Sequence, residues 1–297
     1  MPQDALPQNT LAAARVTIVT VSYNSLAVLP EMLQSVPDGS KVVVVDNAST
    51  DQTALINLCK KHAARLVSNT RNLGFGYACN LGAQHADTEF LLFLNPDATL
   101  APDTLDQLIA AAERYPRASA MNPRIAEPDG SAVFHRSSRL MPRAERMPRG
   151  WPPADREVTV LSGAALFVRR ADFELVSGFD PKIFLYFEDD DLSRRLRSER
   201  GPIMFIRDAF VQHRGGESTP REPSVAALKA YHMARSCVYA TRKHGRPFPF
   251  ATALFSATKN LLALDLLWSP HRRAKNWAFF KGVLSSFRDG GVSKVAP

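Results

Sequence analysis

Cysteine is scarce in this chain: Cys59, Cys79 and Cys237 stand far apart among 297 residues, with no CxxC pair. Three isolated thiols exclude a disulfide framework and suggest no zinc cluster, and a reducing cytosol fits them best. The start lacks a charged segment followed by an apolar run. Residues 1–14 are polar and alanine-rich, so no signal peptide is expected and the protein should stay inside the cell. Long apolar runs are missing too. The most apolar segment, Phe248 to Trp268, is broken by Lys259, Asn260 and Asp265, which argues against a membrane span and for an interfacial or packed helix. There is no internal repeat and no low-complexity tract.

What is present is the composition of an ordinary globule, 45% hydrophobic and 22% charged, which excludes disorder and a polytopic membrane protein. The length suits one large α/β domain, or a domain with a helical appendage. The net charge of +8 is uneven, because Phe134 to Arg156 and the tail from Lys229 carry much of the basic excess. Both regions want anionic neighbours, and nucleic acid, a nucleotide diphosphate and anionic lipid all meet that need.

Hydrophobic patterning gives the architecture. Arg15 to Tyr23 (RVTIVTVSY) and Lys41 to Asp46 (KVVVVD) read as buried strands joined by a helix over Leu26 to Val36, a β-α-β unit. The alternation continues with helix 51–63, strand 65–68, helix 74–86, strand 89–94 and helix 101–115, so a doubly wound α/β sheet is predicted. Ligands of such sheets sit beyond the carboxyl ends of the strands. There the chain places Ser22-Tyr23-Asn24, Asp46-Asn47-Ala48-Ser49 and Asn95-Pro96-Asp97. Residues 123–153, rich in Pro, Arg and Gly, are expected to form a long loop or flap. Apolar strand character returns at 158–168, split by Ser162-Gly163. Helices near 171–177 and 189–200 and strands near 203–206 and 209–212 follow, then three helices, 224–244, 248–268 and 271–287.

Several residues carry chemistry. Asp46 and Asp51 can accept hydrogen bonds from a pyrimidine base or a ribose, while Ser49 to Asp51 also suit the N-cap of the next helix. Asn72-Leu73-Gly74-Phe75-Gly76-Tyr77-Ala78-Cys79-Asn80 places small residues at a helix start, where backbone N–H groups can approach a diphosphate or form a plain turn. Asp97 ends a strand with no helix to cap immediately and reads as an oxygen ligand for a hard divalent cation bound to a diphosphate, or else as a solvated strand-end turn. Glu188 to Asp191 are four successive carboxylates after the aromatic segment Phe184 to Phe187, costly unless a cation, a helix N-terminus or proton uptake relieves them. One is expected to be a catalytic base, and the others to cap the helix or bind Arg194 and Arg195. His213, before Arg214-Gly215-Gly216, reads as a structural histidine or a metal ligand.

Taken in order and spacing, VSYNS at 21–25, VVDNASTD at 44–51, NLGFGYACNLG at 72–82, LNPDA at 94–98, GFDPKIFLYFEDDDLSRRL at 178–196 and VQHRGG at 211–216 resemble the inverting family 2 glycosyltransferases of the GT-A fold. Bacterial rhamnosyltransferase-like members are the nearest in character. The resemblance covers roughly residues 14–220, with 221–297 as a helical C-terminal extension. It implies a donor pocket built from Ser22, Tyr23, Asn24, Asp46, Asn47, Ser49, Asp51, Asn72, Gly74, Phe75, Asn80, Asn95 and Asp97. Asp97 matches the second carboxylate of the family's DxD metal motif, the first being Asn95 here, and His213 matches a histidine that completes the metal site in some relatives. Mg²⁺ or Mn²⁺ is the implied cofactor. Asp189 matches the family's base, with Asp191 as the substitute, and Phe184, Tyr186 and Glu188 are expected to face the acceptor.

The implied reaction moves a sugar, rhamnose or another hexose, from a dTDP- or UDP-sugar to a polyprenyl-diphosphate-linked or polysaccharide acceptor in cell-surface glycan synthesis. A basic, aromatic tail that includes Lys259, Arg272, Lys275, Phe248, Phe255, Trp268 and Trp277 suits the inner face of the plasma membrane, or else a packed subdomain or homodimer interface. The alternative from another class is a catalytically silent nucleotide-sugar or glycan-binding module, against which Asp97, Asp189 and His213 speak. Nucleic-acid binding lacks a recognised reading motif and leaves the strand-end carboxylates unexplained.

Overall fold

Strands β1 (Val16–Ser22), β2 (Lys41–Asp46), β3 (Arg65–Ser68) and β4 (Phe90–Leu94) pair in parallel in the order β3-β2-β1-β4. Helices α1 (Leu29–Gln34), α2 (Gln52–Lys61) and α3 (Phe75–Ala83) connect them. The computed structural model describes residues 12–215, 223–262 and 269–288. Register brings the strand ends level, with Ser22 opposite Asp46 and Asp46 opposite Ser68. The period of two along a strand sends successive valines to opposite faces. Val42 and Val44 thus pack with α1, α2 and α4 (Thr104–Arg114), while Val43 and Val45 pack with α3, α5 (Arg170–Leu175) and α6 (Glu188–Glu199).

The expected doubly wound α/β sheet is present, and beyond β4 it becomes mixed. β9 (Ala165–Arg169) lies antiparallel to β4 and to β6 (Ala120–Ala126), and β10 (Ile203–His213) follows, parallel to β6. A fully buried strand carries no alternation, so its direction leaves no mark on the sequence. The short strand β5 (Ala98–Leu100) was not expected; it pairs antiparallel with β10 and sets His213 opposite Ala98. The two strands expected over 203–212 are one, irregular between Ile206 and Phe210. Pro123 pairs with Ile206 where the register shifts, so its missing N–H falls where the ladder is already broken.

Most of the expected loop at 123–153 is irregular, with short regular pieces packed into it. β6 runs to Ala126, β7 (Ala132–Val133) pairs with it, and Trp151 Nε1 donates to the Ile125 carbonyl at 3.0 Å. β8 (Arg156–Val158) then joins β10. The extension supplies α7 (Pro223–Lys243), α8 (Pro249–Leu261) and α9 (Pro270–Arg288), packed around Ala234, Val238, Ala253, Ala257 and Val283. The expected helix end at 263–268, Trp268 included, lies outside the described residues, as does the boundary at 220/221. Among the described residues no helix is long and apolar enough to cross a membrane.

Candidate active site

A cleft of about 440 Å³ opens at the carboxyl ends of β1, β2 and β4. Asn95, Pro96 and Asp97 form the turn between β4 and β5, and antiparallel pairing carries the end of β10 alongside it. His213 Nε2 consequently stands 3.2 Å from Asp97 Oδ1 and 3.3 Å from the Asn95 amide nitrogen. The Asp97 side chain is buried, and His213 Nδ1 is buried with no hydrogen-bond partner among the described residues. No group of three or more His, Cys, Asp or Glu gathers among those residues, so an all-protein metal cage is absent there. Mg²⁺ and Mn²⁺ need no such cage, since one or two protein ligands plus substrate phosphates and waters complete their shells. A carboxylate and an imidazole this close, at the wall of a cleft, fit a cation that arrives with a diphosphate.

On the other side, the first turn of α6 presents the four carboxylates. Tyr186 and Phe187 take positive φ of 64° and 71°, a backbone strain of about 1–3 kcal/mol each that turns the aromatic segment sharply into the helix. Asp189 faces the cleft. Its Oδ2 accepts the Gly163 N–H at 3.0 Å and its Oδ1 the Asp190 N–H at 2.9 Å, and His135 Nδ1 lies 3.7 Å from Oδ2. Glu188 also borders the cleft but is buried, and burial followed by the charge of Asp189 pushes its carboxyl well above the usual range. Burial, then Asp189, pushes Asp190 up to about 8. Proton uptake thus relieves part of the repulsion within the run.

Asp191 is different. Its buried side chain accepts from Arg195 at 2.8 Å and from Lys243 and His244 at 2.7 Å each. Burial alone would push the carboxyl up, but the His244 hydrogen bond and the charges of Arg195 and Lys243 outweigh it and bring it down to about 2. It does not line the cleft.

Phe184, Leu185 and Tyr186 form one wall, and α7 faces them with Val225, Leu228, Lys229 and His232. The His232 ring stacks on Phe184 with centroids 4.1 Å apart.

A family model described as glycosyl transferase family 2 matches residues 17–176, more than half of the chain. Over 263 residues, 77% of this chain and 85% of the relative, the sequence is 33% identical to the N-acetylglucosaminyl-diphospho-decaprenol L-rhamnosyltransferase of Mycobacterium tuberculosis. The chain belongs to glycosyl transferase family 2. This family 2 glycosyltransferase is also 26% identical over 206 residues to the rhamnosyltransferase WbbL of Escherichia coli, across 61% of this chain and 76% of that one. Its fold matches the mannosyltransferase PcManGT from Pyrobaculum calidifontis, solved with GDP-Man and Mn²⁺, with a TM-score of 0.58 at 20% identity over 97% of this chain and 91% of that one. It likewise matches S. aureus TarS in complex with UDP-GlcNAc, with a TM-score of 0.56 at 18% identity over 93% and 92%. The GT-A assignment of the α/β fold stands on these.

Within this glycosyltransferase, Tyr23, Asn47, Asn72, Gly74, Phe75, Asn95 and Asp97 of the expected donor set line the cleft. Ser22, Asn24, Asp46, Ser49, Asp51 and Asn80 do not. Asp46 is buried and accepts from Ser49 N–H at 3.1 Å and Gln52 Nε2 at 2.6 Å, and Asn24 accepts from Thr50 N–H at 2.9 Å, so these residues shape the loops beneath the cleft. Asp51 caps α2 by accepting the Ala54 N–H at 2.9 Å. Asn80 donates from Nδ2 to the Phe179 carbonyl and accepts the Phe179 N–H at Oδ1, each at 2.8 Å, so it anchors that backbone from beneath the cleft.

At the start of α3, two of the backbone amides are engaged within the chain. The Gly74 N–H donates to Asn72 Oδ1 at 3.0 Å and the Phe75 N–H to the Phe184 carbonyl at 3.1 Å, so both amides are taken. Arg194 donates to the Leu140 carbonyl instead of a carboxylate. The reading from sequence missed His135, Gly163 and the wall formed by α7. Only the split at Ser162-Gly163 hinted at a functional turn.

Proposed function

We propose that the protein transfers a deoxyhexose or hexose from a dTDP- or UDP-sugar to a hydroxyl of a polyprenyl-diphosphate-linked acceptor, with inversion at the anomeric carbon. The observation that carries this reading is that Asp189 faces the same cleft as Asp97 and His213 while the Gly163 N–H fixes one of its oxygens. The free lone pairs of Asp189 accept the proton of the acceptor hydroxyl. The hydroxyl oxygen bonds to the anomeric carbon as the bond to the diphosphate breaks, and that electron pair leaves on the diphosphate oxygen. Asp97 and His213 are the residues that would hold Mg²⁺ or Mn²⁺, which would supply charge neutralisation of the leaving group. Phe184 and Tyr186 supply apolar faces for the acceptor sugar, and Glu188, kept protonated by burial, can donate to one of its hydroxyls. The lipid-linked acceptor follows the mycobacterial relative, whose name specifies a decaprenol-linked one.

Such an acceptor lies at a membrane, and the extension suits the cytosolic face of one. Residues 223–262 and 269–288 hold eleven Lys and Arg and no Asp or Glu. Phe248, Phe255 and Leu262, seven residues apart, are more than 70% exposed. A second copy would bring like charges together, so anionic lipid is the favoured partner over a homodimer.

Calorimetry with UDP, dTDP, GDP and CMP, with and without Mn²⁺, tests the core of this reading on the wild type and Asp97→Ala. Binding of UDP or dTDP that Mn²⁺ strengthens in the wild type and not in the variant is expected. A wild type that binds no nucleotide overturns the mechanism.

A further inference from the structure

We propose that Lys229, on the first helix of the extension, is a diphosphate-binding residue of the active site, so that the extension completes the donor site; this rests on the transferase reading above. Val225, Leu228, Lys229 and His232 line the cleft at spacings of three, four and seven, which is one face of α7. Lys229 is the one Lys or Arg among the described residues that line it, against the carboxyl groups of Asp97, Glu188 and Asp189. Its neighbour His232 supplies no positive charge at neutral pH, since burial and then the charge of Arg235 push that imidazole down to about 4. Lys229 therefore carries the cationic character of this wall alone among the described residues.

Asp97 lines the same cleft, and the half-buried Lys229 ammonium lies close enough for the two charges to interact. An ammonium withdrawn from water requires anionic company. Asp97 supplies one negative charge, and Asn95, beside it, supplies none. A nucleoside diphosphate entering beside Asp97 would bring further charge, and Lys229 is placed to receive it. The leaving diphosphate gains negative charge as the glycosidic bond breaks, so the same contact strengthens along the reaction.

The competing role for Lys229 is to balance Asp97 and nothing more, and the two are separable without turnover. Calorimetric titrations of dTDP against dTMP, and of UDP against UMP, would be run on wild type, Lys229→Met and Lys229→Arg, each in Mn²⁺ and in EDTA. The preference of the wild type for the diphosphate over the monophosphate should fall about ten- to a hundred-fold in Lys229→Met, the worth of one charged hydrogen bond. Lys229→Arg should keep most of it. An unchanged preference in Lys229→Met, with diphosphate still bound, overturns the proposal and leaves the transferase reading intact. An Arg variant as impaired as the Met variant, with a melting temperature lowered equally, also overturns it by pointing to a damaged wall. A wild type that binds neither diphosphate overturns both readings.

Discussion

His244 Nε2 donates to Asp191 Oδ1 at 2.7 Å, a hydrogen bond that ties the residue just past the end of α7 to the first turn of α6. Lys243 reaches the same oxygen at 2.7 Å and Asp180 at 2.6 Å, and Arg195 holds the other Asp191 oxygen at 2.8 Å. The helix that carries Asp189 and the helix that walls the cleft are therefore fastened through one buried carboxylate.

Replacing Asp191 by Asn should destabilise the protein by about 3–5 kcal/mol, because it leaves buried cations without their anion. The folded carboxyl sits at about 2, below its ordinary 3.8, so its contribution is fully present above pH 4 and is lost as pH falls through 2. Urea unfolding should show Asp191→Asn less stable at pH 7, with the gap to wild type closing toward pH 2. A gap of constant size between pH 7 and pH 2 would contradict the assignment.

Asp189→Asn separates base from scaffold. The asparagine keeps an acceptor for the Gly163 N–H but cannot take a proton, so kcat should fall about a hundred- to ten-thousand-fold with nucleotide affinity nearly unchanged. Folded Asp191→Asn, assayed at low temperature, should retain far more activity. The reverse order of the two variants would make Asp191 the base.

The strand ends were legible because apolar runs stop abruptly at Ser22, Asp46 and Asn95, and Tyr23, Asn47 and Asn95 at those ends line the cleft. The structural role of Asn80 was hidden because its partner, the Phe179 backbone, is 99 residues away, and a single amide in a helix pattern gives no sign of such a bond. The run Glu188 to Asp191 announced its importance by its cost, but not the division of labour within it. That division depends on burial and on Lys243 and His244, more than fifty residues downstream. The facing of α7 onto the cleft was equally hidden, since an apolar stripe identifies a buried face and not the neighbour that covers it.

Gly74 adopts φ of 90°, and a Cβ there would stand 2.3 Å from the Phe184 carbonyl oxygen. Gly74→Ala must strain the backbone and push the aromatic wall, at a cost of about 1–3 kcal/mol. Because Phe184 lines the cleft, the folded variant should also show a raised KM for the acceptor. Wild-type melting and kinetics in this variant would mean that the wall yields freely.

Asp190 offers the opposite pH signature from Asp191. Burial and the neighbouring Asp189 raise its carboxyl to about 8, and the Ser138 side chain hydrogen-bonds to it. The folded state thus holds a proton that the unfolded chain has released. This contribution to stability is whole below pH 3.8 and disappears as pH rises through 8. An amide in its place is never ionised and keeps the shape and the Ser138 contact. Asp190→Asn should therefore match the wild type near pH 4 and exceed it by at least about 1 kcal/mol at pH 8.5, a rise of roughly 2–4 °C in melting temperature. Melting curves across that range decide the matter, because an Asp190→Asn variant that is less stable than wild type at pH 8.5 would mean that the carboxylate is ionised and paired in the folded protein.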